Sequence, residues 1–187
     1  ISRAEREALT YEAGRSELLI QQLYGLLQLT RSRHHVPSQP FEWFRNLVAC
    51  MGKDVCIRIA SKADRPVAGI LTISHGKKMV YKYGGSDAKF NNLGAAPMLF
   101  WQAIKEAKEA GAEELDLGRS DIDNPGLIAF KGRWSAECST LTTWRAPMVA
   151  SSPRLESLKV RCAKEVFAWL PDSVLTMAGR ILYRHIG

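Results

Sequence analysis

The sequence predicts a mixed α/β fold of the α+β kind, a mostly antiparallel sheet flanked by helices. Three observations carry that expectation. Two amphipathic helical stripes come first, and residues 55–83 then switch to strand period in three runs joined by short turns. A glycine-bearing loop, a long helix and another short apolar run follow, and such a strand–helix–strand order demands one parallel pairing.

The elements read in order. Residues 2–8, SRAEREA, form a helix end carrying Arg3 and Arg6. Leu9–Ala13 is a short strand closed by Gly14. Ser16 caps a helix running to about Arg33, with Leu19, Leu23, Leu26, Leu27 and Thr30 at helical spacing. The prolines of VPSQP end it, and Phe41–Met51 forms a second helix with Phe41, Phe44, Leu47 and Val48 on one face. Val55, Ile57 and Ile59 alternate with Cys56, Arg58 and Ala60, which is strand period. Val67–Ser74 is almost wholly apolar and reads as a central strand; Met79–Tyr83 is the third of a meander.

Gly84, Gly85 and Ser86 open a loop into a helix over Ala95–Ala110, stopped by Gly111. Glu114–Gly118 is a short strand, DNPGLIAFKGRW leads into a short helix, and Ser139–Trp144 is a last strand. After Pro147 the pattern changes. Leu155, Leu158, Cys162, Val166 and Trp169, then Leu175, Ala178, Ile181 and Leu182, describe a helical hairpin. The division expected is a domain over 1–147 and a helical extension over 148–187.

Composition bounds the function. The 187 residues are 46% hydrophobic and 24% charged, an ordinary globular balance, and no run reaches the ~18 apolar residues of a membrane span. The chain opens on Ile, as expected of a trimmed chain or of one starting inside a longer protein. A net charge of +7 suits phosphate-bearing partners, and equally suits a merely soluble basic domain. Cys50, Cys56, Cys138 and Cys162 form no CxxC pair and read as buried free thiols of a reducing compartment. His34, His35, His75 and His185 lack metal spacing, so no metal is expected.

Chemistry is expected where the loop meets the long helix. The first backbone N–H groups of a helix lack partners and its dipole is positive there, so Asn91-Asn92-Leu93-Gly94-Ala95-Ala96 can cradle a pyrophosphate. Gly94 can equally serve only to turn the chain into the helix. Neither GxSxG nor an interpretable Cys–His pair is present, which leaves direct transfer in a ternary complex as the natural mechanism.

The order of elements resembles the GNAT acyltransferases. SRAEREALTYEAG, LTRSRHHVPSQPFEWF, ELDLGRSDIDNPGLIAFKGRWSAE and WLPDSVLTMAGRILYRHIG resemble the Fem-type branch, which includes peptidoglycan-bridge aminoacyltransferases and exopolysaccharide-locus proteins. The most specific part is residues 115–134. Family members usually carry two GNAT-like halves, and this chain looks like the second, so a missing N-terminal half is an expected partner.

The resemblance implies an N-acyltransferase with acyl-CoA (acetyl-CoA) as donor and an amine-bearing acceptor: a cell-wall or exopolysaccharide precursor, or a small metabolite. Against the family's Q/R-x-x-G-x-G/A pattern, Asn91 departs while Gly94 and Ala96 fit, with Asn92 and Ala95 beside them. The departure keeps aminoacyl-tRNA open as the donor, and a non-catalytic scaffold half open as the role. Lys131, after Phe130, matches the branch's functional lysine and would stabilise an oxyanion. Asp116 is expected to receive or position the amine's proton, or to cap a turn. Arg119 and Asp121 would bind substrate phosphate or pair with each other, Ser86 would touch substrate, and Tyr83 would line the cleft and protonate a leaving thiolate, or simply pack. The resemblance further implies a bacterial protein acting in the cytoplasm, with the basic C-terminal helices of 153–187 a candidate contact with the inner membrane face.

Overall fold

The computed structural model describes residues 2–142, so the expected boundary at 147/148 and the C-terminal helices lie outside the described residues. Five strands form one sheet in the order β1-β2-β3-β4-β5: Thr10–Gly14, Val55–Lys62, Arg65–His75, Lys78–Ser86 and Glu114–Asp116. The first three pairings are antiparallel and β4–β5 is parallel, the mixed sheet that the element order requires.

Helices α1 (Ser2–Arg6), α2 (Glu17–Arg33), α3 (Phe41–Met51), α4 (Ala95–Glu109) and α5 (Pro125–Gly132) surround the sheet. Ser16 caps α2 as expected, its Oγ accepting from Leu19 N at 3.3 Å. Among the described residues no helix is long and apolar enough to cross a membrane.

Two cores lie on opposite faces of the sheet. On one, Leu19, Leu23, Leu26 and Leu27 of α2 and Phe44 of α3 pack on Ile57, Ile59 and Leu71. On the other, Met98, Leu99, Phe100, Ala103 and Ala107 of α4 pack on Ala60, Ala68, Ile70 and Met79, with Ala4 of α1 fully buried among them. Burial on both faces explains the nearly continuous apolar run of β3.

A polar knot lies inside the second core. Arg58 of β2 is only 2% exposed; its Nε and Nη2 donate to Glu106 Oε2 at 2.9 and 2.7 Å, and its Nη1 to Thr72 Oγ1 at 2.6 Å. Tyr11 of β1 donates to the other Glu106 oxygen. Four elements are thus tied together, and burial beside Glu106 pushes the Tyr11 phenol well above its ordinary range.

The cysteines are not the buried thiols expected, since Cys50 and Cys138 are exposed, and three further expectations need correction. Gly84, Gly85 and Ser86 do not open a loop; they continue β4, pairing with Ile70, Gly69 and Ala68. Residues 139–142 carry no strand among the described residues. A 3-10 turn over Ala88–Leu93, capped by Asp87 Oδ1 on Lys89 N at 3.0 Å, replaces the expected plain loop. Gly85 sits where it does because α2 crosses directly over it: a Cβ there would meet the Leu26 carbonyl at 2.6 Å.

Candidate functional site

The site begins where β4 and β5 part. Their register covers Lys78–Val80 against Glu114–Asp116, while β4 runs on to Ser86. Gly118, just past β5, still touches β4: a Cβ there would lie 3.3 Å from the Tyr81 carbonyl oxygen. Beyond that contact β5 offers β4 no further pairing among the described residues, and the end of the ladder forms a fork. Strand backbone without a neighbouring strand must find other hydrogen-bond partners.

A bulge sets the side chains around the fork. Thr72 faces Tyr81 and Leu71 faces Tyr83, so Lys82 is the extra residue on β4. Residues two apart normally share a face; here they do not. Tyr81 turns to the α4 side, its ring 4.8 Å from Phe100 and its hydroxyl over Gly84, where a Cβ would fall 2.0 Å away. Burial pushes its phenol up to about 12, so it stays protonated at neutral pH.

Tyr83 turns to the opposite face. Its ring packs edge-on against Phe44 at 5.1 Å and its hydroxyl accepts from Trp43 Nε1 at 3.0 Å. Tyr83, expected to work on the leaving group, thus lies on the face opposite α4, and Tyr81 is the tyrosine on the α4 side. Nothing in a regular alternation pattern reveals this, because the bulge leaves no signature in composition.

Past the fork, β4 leads to the N-terminus of α4. Gly94 caps it in the left-handed region at φ 79°, a conformation that disfavours a side chain. Ala95 is buried and Ala96 half-buried in the first turn. Asn92 offers its carbonyl to Arg3 Nη1 at 3.1 Å, which lays α1 beside this corner. The Asn91 carboxamide is taken by Ser86 Oγ at 3.0 Å, and the Ser86 backbone is gripped from α2 by Thr30 Oγ1, at 2.9 Å to the amide and 3.2 Å to the carbonyl. Ser86 is therefore a structural hinge between α2, β4 and the turn.

Lys131 and Asp116 come together on the β5 side. Asn124 caps α5 through Leu127 N at 3.1 Å, and the helix carries Lys131 back to the loop after β5. Its Nζ donates to Gly118 O at 2.7 Å and Arg119 O at 3.1 Å. Desolvation lowers the Lys131 pKa, opposed by the Asp116 carboxylate. Asp116 caps the turn, accepting from Gly118 N at 2.7 Å, with Lys78 Nζ 3.6 Å from its other oxygen. Arg119 and Asp121 pair with each other at 3.2 Å on an exposed loop, the alternative to phosphate binding.

Comparison with known proteins decides the family. A family model described as "Acetyltransferase (GNAT) domain" matches residues 1–131. The chain belongs to the GNAT acetyltransferase family. Its enzyme class is that of an N-acyltransferase, and the sheet with its parallel β4–β5 edge is the GNAT-like fold expected from the sequence.

Solved GNAT structures superpose accordingly. An aminoglycoside acetyltransferase from an uncultured soil metagenomic sample, in complex with sisomicin, is 16% identical, covers 74% of this chain and 95% of its own, and gives a TM-score of 0.61. Aminoglycoside N-acetyltransferase AAC(6')-Iy in complex with CoA is 10% identical, with 74% and 95% coverage and a TM-score of 0.60. The ribosomal-protein-S18-alanine N-acetyltransferase of Escherichia coli is 14% identical, with 66% and 76% coverage and a TM-score of 0.51. No curated protein sequence matches the chain.

Proposed function

We propose that this GNAT protein transfers an acyl group from acyl-CoA to the amine of a cell-wall or exopolysaccharide precursor or of a small metabolite. One observation carries the reading: β4 runs past its Val80 pairing with β5 to Ser86, and the 3-10 turn over Ala88–Leu93 leads from there to the N-terminus of α4 at Gly94. A thioester arm with amide groups satisfies such an edge as a strand would, and a pyrophosphate satisfies the helix end. Arg3 of α1 stands at that corner, its Cβ 3.5 Å from where a Cβ on Gly94 would lie, and brings positive charge beside the helix end. The AAC(6')-Iy neighbour was solved with CoA, which supports the same donor here.

The chemistry is a direct displacement. The amine nitrogen attacks the thioester carbonyl, the C–N bond forms, the C–S bond breaks, and the proton lost by nitrogen ends on sulfur. Lys131, fixed by two carbonyls of the loop that touches Tyr81, holds positive charge beside the fork. The buried Tyr81 phenol keeps its proton and is the hydroxyl on the donor side.

A second reading, in which Fem-type aminoacyl-tRNA is the donor, draws on Asn91 standing where the family's pattern has a longer Gln or Arg donor. Thermal unfolding with CoA and acetyl-CoA at two salt concentrations separates the two. Ligand at about 100 times its Kd adds ~2.7 kcal/mol to stability. Ala96→Glu, which places a carboxylate in the cradle while suiting the helix dipole, is expected to keep the fold and abolish that shift. A CoA shift untouched by Ala96→Glu contradicts the assigned cradle. Absence of any shift, with steeply salt-dependent tRNA binding instead, turns the reading to the Fem-type donor.

A further inference from the structure

The donor reading leaves one face of the fork for the acceptor. α4 covers the sheet face that carries Tyr81, and the donor corner at Gly94 begins that helix. An amine attacking the carbonyl from the other side meets the face of Tyr83, Phe44 and α3. There stands an indole that no core explains. Trp43 is 41% exposed, yet its Nε1 donates to Tyr83 Oη at 3.0 Å.

Tyr83 is itself fixed, edge-on to Phe44 at 5.1 Å, and Phe44 lies 6.0 Å from Tyr24, which meets Phe41 at 5.3 Å. The indole therefore carries little rotational freedom, so stacking on it costs little further entropy. A rigid, half-exposed indole, polar at one edge and apolar on its face, is a platform for a ring whose face is C–H and whose rim is hydroxyl. A linear amine has no such face.

We propose that Trp43, held by Tyr83, selects the acceptor, and that the acceptor class is an amino sugar. This rests on the donor reading above, because only a donor on the α4 side makes this the acceptor's face. Trp43 acts by binding and orientation, so its effect belongs in KM rather than in kcat.

The experiment compares acetyl-CoA-dependent acetylation of glucosamine and of 1,4-diaminobutane by wild type, Trp43→Ala and Trp43→Phe, with glucosamine binding read in parallel by isothermal titration calorimetry. Trp43→Ala is expected to raise KM for glucosamine about tenfold or more, leave kcat within about twofold, and leave the diamine unchanged; Trp43→Phe restores most of the loss. Equal effects on both amines, no effect on either, or a wild type that binds CoA but neither binds nor acetylates glucosamine each overturn the assignment. A wild type without a CoA-induced thermal shift overturns the donor reading instead. In that case, glucosamine binding that Trp43→Phe retains and Trp43→Ala weakens still supports the platform, and binding unchanged in both variants refutes it.

Discussion

Removing Glu106 should cost more than removing Arg58, although they form one ion pair. Arg58 is 2% exposed on its side chain and Glu106 35%. Glu106→Ala leaves a buried guanidinium whose Nη1 still donates to Thr72 Oγ1 but whose charge is unpaired, and deprives Tyr11 of its acceptor. Breaking a buried pair in this way costs ~3–5 kcal/mol; water reaching the carboxylate side places this case near the lower end, about 3 kcal/mol. Arg58→Met removes the buried charge itself, fills the space with an apolar side chain, and lets the half-exposed Glu106 rehydrate while still accepting from Tyr11. Its cost should be about 1–2 kcal/mol. Urea unfolding of the two variants, with m unchanged, measures the difference as a shift of the midpoint. A Glu106→Ala loss below about 1 kcal/mol, or an Arg58→Met loss equal to it, would refute the argument that an unpaired buried charge dominates here.

Gly85→Ala should destabilise by ~1–3 kcal/mol, because its Cβ would meet α2 backbone at Leu26 and Leu27 rather than a flexible side chain; denaturant unfolding checks it. Spectrophotometric titration should show Tyr81 ionising at about 12, after the ordinary phenols. Its folded pKa is raised, so its contribution to stability is complete below pH ~10 and is lost as pH climbs towards 12, and Tyr81→Phe should flatten that alkaline decline. Lys131→Met should lower kcat by ~10²-fold or more, with far less effect on CoA binding. Since desolvation lowers the Lys131 pKa, the alkaline fall in kcat should come below the ordinary lysine range, and Lys131→Arg should move it upward; a limb that ignores this substitution would exclude Lys131 as its source.

Much of the fold was legible because burial is periodic. The stripe predicting a helix over Phe41–Met51 matches α3 residue for residue, and Ser16 caps α2 as its side chain suggests. The parallel β4–β5 edge followed from a helix lying between two short apolar runs. What failed had long-range causes. Gly84 and Gly85 read as a loop because glycine weakens strands, yet one makes room for Tyr81 and the other for α2, neighbours known only once the chain is folded. Arg58 alternates with isoleucines, and the strand pattern alone says nothing of its burial; α4 covers that face and supplies Glu106 from 48 positions away. At the candidate site, Lys131, expected from the resemblance, and Asp116, expected from its place on the short strand, both bond to the chain at Gly118. Arg119 and Asp121 satisfy each other instead.

The bulge at Lys82 links these failures to the chemistry. Without it, Tyr81 and Tyr83 would share one face, and the edge of β4 would present aromatic groups to a single substrate. With it, one tyrosine lies under α4, on the proposed donor side, and the other braces Trp43, on the proposed acceptor side, two residues apart in sequence. The fork needs both properties together: a backbone edge that opens at Val80 and a strand whose side chains change sides just after it opens. A reaction that joins two molecules across a sheet requires the sheet to be open and two-faced at the same point, and the extra residue supplies the second condition where the end of the β4–β5 ladder supplies the first.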